Sequence, residues 1–121
     1  LSMPLENIVW GFLNMFCDEK YFPIKQAILN KPYVFGGENR TDTKIIEKTG
    51  MISKVGAGGL CVVINSNKNE GFIVKISDCD MKSREITAFE YIKRLGWGNF
   101  EPDKKIKTLH GEIVGEVEML L

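Results

Sequence analysis

The sequence predicts an α+β domain, a five-stranded antiparallel sheet with one packed helix, preceded by a helical N-terminal extension. Three observations predict it. Before Gly50 the apolar residues recur at helical spacing, and after it they gather in short, β-branched runs. One further helical stripe, near residues 81–95, interrupts those runs. With 121 residues the chain can form one compact domain with a modest core. Its divisions are a helical extension over 1–45 and a sheet-bearing unit over 46–121. The opening Leu1-Ser2 before Met3 reads as a cloning remnant.

The elements follow in order. Leu5, Ile8, Val9, Phe12, Leu13 and Phe16 form a full helical stripe, so residues 5–19 are expected to be an amphipathic helix. Pro4 suits its first turn, where a missing N–H costs nothing. A short helix over 23–29 points Ile24, Ala27 and Ile28 inward. The stretch from 30 to 41 holds Pro32 and Gly36-Gly37 and reads as loop. Asp42 or Thr43 is placed to cap a third helix ending before Gly50. "MISKV" and "CVVIN" are strands on either side of the glycines at 56, 58 and 59, and "FIVKI" is a third. After the helix over 81–95 and a Gly/Asn/Pro loop, "KKIKTL" and "EIVGEVEML" supply two more strands.

Composition excludes several function classes. Sixteen basic and sixteen acidic residues cancel, so no global field draws the chain to nucleic acid or to an anionic membrane. Lys104, Lys105 and Lys107 read as a solvated strand edge. Three scattered cysteines (Cys17, Cys61, Cys79) and a single histidine, His110, give neither a disulfide framework nor a zinc site, and they suit a reducing cytoplasm. The apolar start is broken by Glu6, Asn7, Gly11 and Asn14, so it is neither a membrane span nor a signal peptide. His110 precedes Gly111 and reads as a surface turn residue.

The residues with the most chemical promise surround "VGAGGLCVVI", 55–64. Glycines between two strands serve a tight hairpin that needs positive φ, and they also let bare backbone N–H groups approach an anion. Lys75 ends the third strand and would put an ammonium beneath that loop. On the following helix, Glu85 stands three, four and seven residues before Ala88, Phe89 and Ile92, on the inward stripe. A buried glutamate needs a cation, and Lys75 is the expected partner. Glu90 is expected on the helix flank.

Glycine hairpin, strand lysine, helix glutamate and two further strands resemble the small lobe of protein kinases and aminoglycoside phosphotransferases. "GAGGLCVV" is similar to the kinase loop GxGxxGxV, and "FIVK" to V-A-I-K. The spacing looks most like the early-gene serine/threonine kinases of lytic bacteriophages. That resemblance implies a nucleotide site of Val55, Gly56, Gly58, Gly59, Val63, Ile73, Lys75, Glu85 and Val117, with ATP as ligand and magnesium only through the nucleotide. Cys61 stands where the third glycine would be, and Ile73 where an alanine would lie against adenine. No H-R-D-x-x-x-x-N or D-F-G sequence follows, so no catalytic residue, metal ligand or large catalytic lobe is expected.

Two functions then compete. One is a non-catalytic kinase-like module that docks a protein, a bacterial host protein by analogy, in the host cytoplasm. The other is the nucleotide-binding half of an ATP-dependent phosphotransferase whose large lobe lies elsewhere. An apolar C-terminal face would favour self-association.

Overall fold

The computed structural model describes residues 2–120. Leu1 and Leu121 lie outside the described residues, and with Leu1 one residue of the expected cloning remnant. The α+β class is present, and the first helix, α1, spans Leu5–Cys17 with Pro4 at its N-cap. It ends two residues short of the expected residue 19, because Asp18 turns extended and its carboxylate accepts from the Lys20 N–H at 2.9 Å. A 3-10 turn over Glu19–Tyr21 leads into α2, Phe22–Asn30. The expected loop from 30 to 41 contains a further helix, α3, Pro32–Gly36. Proline fixes its first turn, and Gly37 stops it at φ 99°. Neither Asp42 nor Thr43 is a cap. α4 spans Thr41–Thr49 from an N-cap at Arg40, which puts both residues inside its first turn.

The strands β1 (Ile52–Gly56), β2 (Leu60–Asn65) and β3 (Glu70–Lys75) form a three-stranded antiparallel sheet in that order. Val55 opposes Cys61, and Cys61 opposes Val74. α5, Met81–Arg94, follows, its first turn capped by the Asp80 carboxylate accepting from the Ser83 N–H at 2.6 Å. The expected five-stranded sheet does not form. Among the described residues β4 (Lys105–Lys107) and β5 (Ile113–Glu116) pair only with each other. Lys105 opposes Glu116, and Ile106, Ile113 and Val114 remain exposed, so this ribbon has no apolar stripe to lay on the main sheet.

Alternation along the strands divides the core into two faces. Ile52, Val62 and Ile64 face α1 and α2 and pack with Leu13, Phe16 and Ile28. Val55, Cys61, Val63 and Val74 face α5 and pack with Ala88, Phe89, Ile92 and Phe100. Each such aliphatic side chain stabilises the fold by about 1.5–3 kcal/mol. α4 lies along the β1 edge and serves both faces, with Ile45 in one cluster and Ile46 in the other. The arrangement leaves α4's first turn beside β1.

Candidate functional site

The residues predicted as one constellation separate. Lys75 shares its sheet face with Ile73, toward α1, whereas α5 packs on the opposite face against Val74. The expected Lys75–Glu85 pair is therefore absent. The Lys75 ammonium donates to the backbone oxygens of Gly58, at 2.5 Å, and Ile76, at 2.8 Å. Glu85 sits where α5 begins, and its neighbour there is α4 and not the sheet. Its carboxylate accepts from Lys44 Nζ at 3.1 Å and from Thr41 Oγ1 at 2.9 Å. Ala88, Phe89 and Ile92 are buried as their spacing predicts, but so are Arg84 and Ile86, and Leu95 is exposed. Glu90 pairs with Lys104 at 2.7 Å and is the less exposed of the two glutamates, 18% against 26% for the side chain.

The hairpin glycines serve geometry. Gly58 and Gly59 take φ of 71° and 74°, which L side chains adopt at a cost. A Cβ at Gly59 would lie 2.7 Å from the Ile76 oxygen, so the hairpin tip is pressed onto the end of β3. Gly56 ends β1. Val55 and Val63 are buried in the α5 core, Ile73 is partly buried toward α1, and Val117 donates its N–H to the Lys104 oxygen beside the β4–β5 ribbon. Burial pushes the Cys61 thiol up to about 11, and a hydrogen bond with Ser53 opposes that in part, so Cys61 is a packing residue and a poor nucleophile.

A different lysine has the surroundings of a functional group. Asp42 is fully buried, and its carboxylate accepts three hydrogen bonds. Thr43 N–H donates to Oδ1 at 3.1 Å, and Val55 N–H and Lys54 Nζ donate to Oδ2 at 3.1 and 3.2 Å. The chain is built for this contact. Gly36 lies so close that a Cβ there would sit 2.9 Å from Oδ1, and the Thr43 hydroxyl donates to the Gly37 oxygen at 2.6 Å. The Val55 N–H points away from β2, so the carboxylate also closes the open edge of β1.

Asp42 thus holds the Lys54 ammonium at one place while leaving the side chain 36% accessible. The ammonium lies 5.5 Å from the centroid of the Phe35 ring. Lys54 also lines a cavity of about 570 Å³ whose walls are Ile8, Phe12, Phe16, Ile28 and Phe35, with Asn7 as another polar neighbour. A fixed cation on an apolar wall acts through a low local dielectric, where it binds developing negative charge more strongly than in water. Ser53, its neighbour in sequence, turns to the other face and donates to the Val62 oxygen at 3.0 Å. In the sequence Lys54 is only one strand residue among several, and Asp42 is only a capping candidate. The signal for their pairing is the polar run Thr41-Asp42-Thr43, all buried, next to the paired glycines 36 and 37.

Among the described residues no three His, Cys, Asp or Glu side chains converge as metal ligands, and no helix is long and apolar enough to cross a membrane. A family model described as L-asparaginase II matches residues 1–119, and the chain belongs to that family. This overturns the kinase and phosphotransferase resemblance, together with the kinase-module and nucleotide-clamp functions, the ATP-binding assignment and the phage–host role drawn from it. No curated protein and no solved structure gives a significant match.

Proposed function

We propose that this chain takes part in hydrolysing the side-chain amide of L-asparagine, with Lys54 facing the reacting amide and Asp42 positioning Lys54. The family supports the reaction class. The observation that carries the site is an accessible ammonium anchored by a fully buried carboxylate beside an apolar cavity.

In this reaction an oxygen nucleophile adds to the amide carbon and gives up its proton while the carbonyl oxygen becomes negative; the carbonyl then re-forms, the C–N bond breaks, and the departing nitrogen takes up a proton to leave as ammonia. Water and an enzyme nucleophile build the same oxyanion, so the Lys54 ammonium serves either route by stabilising that charge. Asp42 acts through Lys54. It fixes the amine, which also donates to the Val55 backbone oxygen at 3.2 Å and lies near the Phe35 ring, so little rearrangement is needed when the charge develops. Lys75, exposed and occupied by two backbone oxygens, has no part in the reaction.

The test is ammonia release from L-asparagine by the wild type, Lys54→Met and Lys75→Met. Loss of an oxyanion-stabilising group lowers kcat by about 100- to 1,000-fold, which is expected for Lys54→Met alone. A Lys54→Met chain as active as the wild type, or no ammonia from the folded wild type, would overturn the reading.

A further inference from the structure

The first turns of α4 and α5 border a second cleft, of about 490 Å³, lined by Arg40, Thr41, Lys82, Arg84, Glu85 and Asp103 among others. Arg84 is only 5% exposed, and its Nε has no hydrogen-bond partner among the described residues. A buried guanidinium left short of acceptors is one of the least favourable arrangements in a folded chain, and it calls for an explanation. Glu85, next to it in sequence, is already engaged by Lys44 and Thr41. Asp103 accepts from the Lys105 N–H at 3.1 Å and faces Lys107 at 3.9 Å. Two further cations, Arg40 and Lys82, stand on the lining, and Lys82 donates to the Lys105 oxygen.

We propose that this cleft binds an oxyanion, a carboxylate or a phosphate group, with Arg84 as the anchor and Arg40 and Lys82 at the rim. A guanidinium offers its N–H groups in a fixed fork that matches two oxygens of either ligand. The site is separate from Lys54 and stands whether or not the amide-hydrolysis reading holds.

Calorimetric titration of the chain with inorganic phosphate and with succinate, at constant ionic strength set by chloride, tests it. Saturable binding of phosphate alone identifies a phosphate site, and of succinate alone a carboxylate site. Arg84→Gln is expected to abolish the heat. Should that variant fold poorly, Arg40→Gln combined with Lys82→Gln, both at the rim, is expected to weaken binding by roughly tenfold, as loss of charge-assisted hydrogen bonds does. The same titrations in Lys54→Met remove any dicarboxylate binding at the proposed catalytic ammonium: saturation that persists there reports this cleft, and saturation lost there assigns the heat to Lys54 and would overturn the proposal. Absence of saturation with both anions, or unchanged affinity in the Arg40/Lys82 variant, would overturn the proposal.

Discussion

Lys54 and Lys75 stand on the same face of one sheet, two strands apart, and their surroundings differ in the feature that matters. Lys75 closes β3 beneath a glycine hairpin, the place where sequence reasoning looks first for an anion site. Its ammonium is spent on two backbone oxygens at the hairpin tip and lies exposed. Lys54, on the edge strand β1, meets a carboxylate with no solvent contact that also receives two backbone N–H groups. An ammonium tied to neutral carbonyls at the surface stabilises a turn. An ammonium tied to a buried acid beside an apolar cavity keeps its charge in one position, which chemistry needs.

The comparison is broken most forcefully at Asp42. Asp42→Ala leaves the Val55 and Thr43 N–H groups without their acceptor and Lys54 without its anchor. Removing one member of a buried pair costs about 3–5 kcal/mol, and the figure falls toward about 3 kcal/mol because Lys54 can turn to water. Urea unfolding would show this as a lower midpoint at unchanged slope.

The hairpin is tested next. Gly59→Ala combines a left-handed φ with a 2.7 Å approach to the Ile76 oxygen and should cost about 2 kcal/mol. Gly58→Ala has the same φ with contacts no closer than 3.9 Å, and about 1 kcal/mol is expected from backbone strain alone. Equal costs would mean that the hairpin tip does not press on β3. Glu85→Gln removes a partly exposed pair with Lys44 and should cost less than about 1 kcal/mol. It should also leave Lys75 undisturbed, since the two side chains serve opposite faces.

Cys61 gives the most pH-bound effect. Burial raises its folded pKa from 9.0 to about 11, so the neutral thiol is favoured in the native state. Its contribution to stability is therefore complete below about pH 9 and is lost as pH rises toward 11. Melting temperatures across that window should fall in the wild type and flatten in Cys61→Ala. Below pH 9 a thiol reagent should modify the exposed Cys17 and Cys79 and spare Cys61.

Much of the architecture was legible from spacing. The stripes of α1 and α5, the three central strands and their hairpins follow from periods that side-chain burial imposes. The loop from 30 to 41 hid α3, because Pro32 and the glycines at 36 and 37 signal a break and also bound a one-turn helix. The five-stranded sheet failed because strand propensity alone does not bring a strand to a neighbour. Ile106, Ile113 and Val114 carry that propensity but have no face of the sheet to cover. The candidate site was the least legible part. Its two charges lie twelve residues apart on a helix and a strand, and only the packing of α4 along β1 brings them together. The glycine hairpin, by contrast, is a strong local pattern, and Gly58 and Gly59 take left-handed φ there.

The most direct test follows the side-chain amine resonances of Lys54 and Lys75 by nitrogen-15 NMR while L-aspartate, the product of the proposed reaction, is titrated into the chain. A saturable shift at Lys54 is expected, with Lys75 unmoved. A shift at Lys75 with Lys54 still, or no saturable change at either, would contradict it.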